Sequence, residues 1–163
     1  MTAMDGDFRA GLAALLPQLR AYARFLARAP AQADDLVQEA LLRALGAEHQ
    51  WQPGTNLRAW TFRILHNLFL EQLRRGGTER RALDTIAAHG TGPASQEAAA
   101  ELADLARDLE ALPLAQREAL ILVGAHGLSA DEAGLVCGVP PGTIKARVSR
   151  ARAALARLRS GQS

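Results

Sequence analysis

The stretch from Ser129 to Leu158 constrains this chain more than any other. SADEAGLV reads as a short helix, CGVP as a tight break containing glycine, and PGTIKARVSRARAALARL as a longer helix with no acid in it. Ser129 with Glu132 three residues on is a capping box, in which each side chain satisfies the other residue's backbone N–H at the helix start. Proline is tolerated where a helix opens, because the N–H it lacks would have had no partner there, so Pro141 marks the start of the second helix. A short helix, a turn and a longer basic helix make a helix-turn-helix. At about 100° per residue, Ile144, Val148, Ala151, Leu155 and Leu158 share one stripe, while Ala146, Ser149 and Arg150 lie opposite. Lys145 and Arg147 flank that outer face. It is small, basic and able to hydrogen-bond, which suits a major groove; Arg152, Arg157 and Arg159 suit phosphates.

The rest of the chain is also helical in pattern. Alanine and leucine are abundant while valine, isoleucine and aromatics are scarce, which favours helices and leaves little material for a sheet. Phe8, Leu12, Leu15, Leu16, Leu19, Tyr22 and Leu26 recur at helical spacing, and this first helix should end near Ala29 and Pro30. Pro17 should bend or divide it. A second helix is expected from about Gln32 to Leu45, with Leu36, Val37, Ala40, Leu41 and Leu45 inward and Asp34, Asp35, Gln38 and Glu39 outward, stopping at Gly46. Trp51 to Thr55 reads as a loop, and Asn56 as the N-cap of a third helix over Leu57 to Arg75, ended by Gly76 and Gly77. In the third helix Arg63, Asn67 and Arg74 fall within about 40° of one another, with Trp60 close by, which suits separated single-stranded DNA. Residues 77–96, with Gly90, Gly92 and Pro93, form the best linker candidate. Leu102, Leu105, Leu109 and Leu112 mark one further helix, and Leu120, Ile121 and Val123 another after Pro113. The expected architecture is all-α: two small helical domains, 1–76 and 97–163, joined by a flexible linker.

The formal net charge is only +2 over 163 residues, so its distribution matters more than its sum. Pro141 to Ser163 holds six basic residues and no acid, whereas Glu97 to Glu110 holds five acids against Arg107. A single cysteine, Cys137, reads as a small apolar core residue and argues for a reducing compartment. The N-terminus has no apolar run of signal-peptide or membrane-span length, so a cytoplasmic protein with no membrane segment is expected. His49, His66, His89 and His126 are scattered singly, and no P-loop, dinucleotide signature, hydrolase elbow or metal-ligand cluster is present. These absences point away from an enzyme, a metal site or a cofactor.

Leu112-Pro113, the run REALILVGAHGLSADEAGLVCG and GTIKARVSRAR resemble region 4 of the extracytoplasmic-function (ECF) RNA polymerase sigma factors, most of all the EcfG-type factors of the general stress response. ADDLVQEALLRAL resembles their region 2.2, and PGTNLRAWTFRILHNLFLEQLRR their regions 2.3 and 2.4. The resemblance implies a factor that directs promoter-specific initiation and binds the β′ clamp and β flap of core RNA polymerase. It gives clamp contacts to Asp35, Gln38 and Glu39, and contacts with the melted minus-ten element to Asn56, Arg58, Trp60, Arg63, Asn67 and Arg74. The loop from Trp51 to Thr55 would form much of a flipped-base pocket. Thr143, Lys145, Ala146, Arg147, Ser149, Arg150 and Arg152 would meet the minus-thirty-five element, and an anti-sigma factor of the NepR type would hold the chain inactive. Two residues depart from the pattern: Gly134 stands where alanine is usual, costing roughly 1 kcal/mol of helix propensity, and Pro140-Pro141 replaces the usual turn residues.

Two other readings remain open at this level. A regulator that binds duplex DNA without polymerase would need the helix-turn-helix but not the front half. A sigma-like mimic that sequesters an anti-sigma factor would not need the basic recognition helix.

Overall fold

The computed structural model describes residues 2–27, 29–76 and 96–161, the side chains of 2–6 and 102 excepted. Every regular element among them is helical: α1 Thr2–Leu26, α2 Pro30–Gly46, a 3₁₀ turn Glu48–Gln50, α3 Leu57–Arg75, α4 Gln96–Glu110, α5 Leu114–Leu120 running into a π turn Ile121–Ala125, α6 Ala130–Cys137 and α7 Pro141–Ser160. These fall into two units, Met1–Ala87 with Leu135–Gly138, and Ala88–Gly134 with Val139–Ser163. The linker expected over 77–96 lies outside the described residues except for Gln96, which opens α4. Gly77 and His89 lie outside them too.

In the first unit α1, α2 and α3 pack on one another. The expected stripe of α1 is buried from Phe8 to Leu26, with Leu16 half-buried. Pro17 does not divide this helix, which runs through it. The bond it deletes is the one to the carbonyl of Ala13, and both residues are exposed, so water can serve that oxygen. Pro30 opens α2 rather than closing α1, since its fixed φ suits a first helical position.

The buried face of α2 is Ala33, Leu36, Val37, Ala40 and Ala44. Leu45, expected inward, is 42% exposed. It stands about 180° from Leu36, and Ala44 occupies the stripe in its place. Asn56 caps α3 as expected, its side-chain oxygen accepting from the Ala59 N–H at 3.0 Å. Thr61, fully buried on α3, returns its hydroxyl to the Leu57 carbonyl at 2.8 Å. Tyr22 and Phe62 stack at 4.9 Å between ring centroids, 9° from parallel, and join α1 to α3.

In the second unit Leu109, Leu112 and Ala151 form a core against which Leu105, Leu120, Ala154 and Leu155 pack. The π turn was not legible from spacing. Within it the His126 N–H reaches the Ile121 carbonyl at 3.0 Å, five residues back, and the Leu128 N–H reaches Leu122 at 3.0 Å.

The capping box forms in both directions: the Ser129 N–H donates to the Glu132 carboxylate at 3.0 Å, and the Glu132 N–H to the Ser129 hydroxyl at 3.1 Å. At the other end of α6, Gly138 takes φ +71 and the Val139 N–H bonds the Gly134 carbonyl at 3.0 Å. This is a Schellman closure, in which a left-handed residue lets the chain turn back on the helix end. It explains Gly134. A Cβ there would stand 2.6 Å from the Val139 carbonyl oxygen, with Pro141 N and Pro140 C next nearest. Glycine and the two prolines are therefore one coupled feature of this turn. Gly134→Ala should gain roughly 1 kcal/mol of propensity and lose about 1–3 kcal/mol to overpacking. The expected net is a lower melting temperature of the second unit, and a raised one would contradict the close approach.

Candidate nucleic-acid and partner surfaces

The turn aims α7. Ile144, Val148 and Ala151 are buried, Leu155 and Leu158 half-buried, so the expected stripe faces inward. Lys145, Ser149, Arg150 and Arg152 are exposed, while Thr143, Ala146 and Arg147 are half-buried. The Thr143 N–H bonds the Pro140 carbonyl at 3.0 Å in the first turn of the helix. Four of the seven expected reading residues thus stand clear, and three sit lower on the flanks. α7 has no acid along its length, so nothing on the helix itself offsets its cations.

On α3, Arg63, Asn67 and Arg74 are all exposed and share a face, as the spacing required. Trp60 is different. It is half-buried among Phe8, Leu12 and Ala44, with its ring edge-on to Phe8 at 5.8 Å, so much of its surface belongs to the core. Asn56 has its oxygen committed to the cap, and the Arg58 Nη1 reaches the Gln18 Oε1 at 3.5 Å. Trp51, on the loop before α3, packs tilted on Phe8 at 5.3 Å.

Asp35, Gln38 and Glu39 are exposed on α2 together with Asp34. Glu39 is partly engaged, at 3.4 Å from Arg43, which grips Glu71 of α3 with both guanidinium nitrogens at 3.1 and 3.3 Å. The Arg43 hydrogen bond holds the Glu71 carboxyl below its ordinary value, although burial opposes it, and Arg75 lies 4.0 Å away. A two-pronged pair between helices fixes register more than it adds stability at so exposed a site.

Sequence reasoning overlooked Leu42. It is 70% exposed and lies angularly between Gln38 and Asp35, so an apolar side chain stands in the middle of the acidic face. The available signal was the spacing 35, 38, 42 with a leucine in a polar stripe. Cys137, expected in the core, is half-buried at the end of α6. Among the described residues no helix is long and apolar enough to cross a membrane.

Residues 12–79 match the family described as Sigma-70 region 2, and residues 102–155 the one described as Sigma-70, region 4. The chain is 46% identical over 156 residues to the ECF RNA polymerase sigma factor EcfG of Rhodopseudomonas palustris, across 95% of this chain and 86% of that one. It is 32% identical to the ECF RNA polymerase sigma factor SigF of Caulobacter vibrioides, across 94% and 87%. Among solved structures, the sigma factor RpoE in complex with the anti-sigma factor NepR from Bartonella quintana gives a TM-score of 0.81 at 40% identity, over 95% of this chain and 98% of that one. A region 2 followed by a region 4 that ends in a helix-turn-helix defines a sigma-70-type transcription initiation factor. Within that class the chain belongs to the ECF RNA polymerase sigma factors, and it is similar to EcfG.

Proposed function

We propose that residues 1–76 bind the polymerase clamp and the minus-ten element, that 77–96 link, and that 97–163 bind the minus-thirty-five element. The observation that carries this reading is the acid-free outer face of α7, with Lys145, Ser149 and Arg150 exposed on the helix that follows the turn closed at Gly138. Thr143, Ala146, Arg147 and Arg152 complete the minus-thirty-five surface. Arg63, Asn67 and Arg74 neutralise and order the melted strand, helped by the remaining free surface of Asn56, Arg58 and Trp60. The chain acts by binding, without catalysis or cofactor, in the cytoplasm. A NepR-type anti-sigma factor controls it in a stress response; the similar RpoE has been solved with such a partner.

Asp35, Gln38 and Glu39 meet the polymerase clamp around Leu42, which serves as the apolar anchor that a polar rim surrounds. Leu42→Ala should cost about 1 kcal/mol of core-polymerase affinity, roughly five-fold, with the fold unchanged because the residue is exposed. Titration of purified core enzyme with the labelled full chain measures this. An unaltered Kd for Leu42→Ala and for Asp35→Ala would remove α2 from the interface.

A further inference from the structure

Arg43 stands between the face of α2 that meets polymerase and the face of α3 that meets the melted strand. On α2 it lies within about 20° of the buried Leu36, two turns on, so its stem leaves the core stripe rather than the acidic face. α2 packs against α3, and the Arg43 guanidinium crosses to Glu71: Nη1 donates to Oε1 at 3.3 Å and Nη2 to Oε2 at 3.1 Å. Nη2 also reaches Glu39 on its own helix, at 3.4 Å.

Glu71 is an acid on the wrong side of α3. It stands about 40° from Asn67, and along the axis it is about 6 Å past Asn67 and about 4.5 Å short of Arg74. Its side chain keeps 37% of its surface exposed. A bare carboxylate at that place repels the strand whose phosphates Arg63 and Arg74 neutralise. Salt does not remove the repulsion, since the screening length is about 10 Å at 0.1 M, longer than these separations. Arg75 comes within 4.0 Å of Glu71, but it is 80% exposed and on the same helix, a pairing that water and side-chain motion weaken. Arg43 holds both carboxylate oxygens, in the planar fork that a guanidinium offers and an ammonium does not. So exposed a pair adds little to stability; its weight lies in the field outside the helix. We infer that Arg43 is a positioning residue for binding of the melted minus-ten strand: it takes the Glu71 charge out of the strand's path without touching the strand itself. The inference rests on the minus-ten role proposed for α3 and adds a residue of α2 to it.

The test is fluorescence anisotropy of holoenzyme, with core polymerase saturated by the full chain, titrated against a labelled single-stranded oligonucleotide that carries the minus-ten element of a promoter it transcribes. Arg43→Gln, which keeps the stem and drops the charge, should weaken binding about five-fold at 0.1 M salt, and the defect should shrink as salt rises. Glu71→Gln alone should bind as well as the unmodified chain or better. The double variant should return to within about two-fold of the unmodified chain, because the charge that Arg43 offsets is then gone. A purely structural role for the pair would not give that rescue. If Arg43→Gln binds as well as the unmodified chain, the role of Arg43 is overturned while the minus-ten reading of α3 stands. If Arg43→Gln is weak and Glu71→Gln does not restore it, Arg43 meets a phosphate itself or holds the helices in place, and the inference is likewise overturned. If the unmodified holoenzyme does not bind the strand, the minus-ten reading fails and the inference with it.

Discussion

Phe62→Ala should destabilise the first unit by about 3–5 kcal/mol, the usual cost of removing a fully buried phenyl ring. Phe62 has no exposed surface and stacks on Tyr22, which is equally buried, so the truncation removes both the ring's own burial and the face that Tyr22 packs against. Domains of this size are stable by only about 5–15 kcal/mol, so the loss should bring the first unit's transition close to working temperature. Phe62→Leu, which keeps most of the volume, should cost under about 1.5 kcal/mol if the core repacks. Chemical denaturation followed by near-ultraviolet circular dichroism reads both. Equal, small losses for the two variants would mean that Phe62 does not join α1 to α3.

Arg150→Ala should cost roughly 1–3 kcal/mol on a cognate promoter and relax selectivity at one base position, if its contact is bidentate. Arg150 is exposed on the outer face of α7, about two turns before Arg157, where a straight helix leaves the groove. Arg157→Ala should weaken all sequences alike and reduce the salt slope, because a phosphate contact releases counterions without reading bases. Holoenzyme binding to a panel of single-base promoter variants at two salt concentrations separates the two effects. Uniform weakening by both variants would take base readout away from this face.

What could be read in the sequence was local and periodic. Ser129 and Glu132, Asn56, Gly76 and Gly138 signal helix ends by chemistry confined to a few residues, and each acts where it was expected. The inward stripe of α7 follows from a 3.6-residue period alone. What failed depended on a stripe drawn too wide or on water. Leu45 stands about 180° from Leu36, so the helical period itself places it off the buried face, which ends at Ala44. Pro17 is harmless because the carbonyl it strands lies on the solvent side, which the residue type does not reveal. The π turn at Ile121–Ala125 has no spacing signature of its own, since it shifts the register inside an otherwise ordinary apolar run. Of the site, the cationic face of α7 and the row Arg63, Asn67 and Arg74 were legible as angles; the core engagement of Trp60 and the exposure of Leu42 were not, because both turn on what stands opposite.

Promoter-directed transcription with purified core RNA polymerase tests the central claim most directly. Core enzyme with this chain should start RNA from a promoter carrying both a minus-ten and a minus-thirty-five element, and should lose that activity when either element is scrambled; core enzyme alone should not. The chain alone should bind the same duplex weakly, because its two small surfaces act together only once polymerase holds them. Tight, sequence-specific binding of duplex by the free chain, with no promoter-directed transcript when core enzyme is added, would contradict the account.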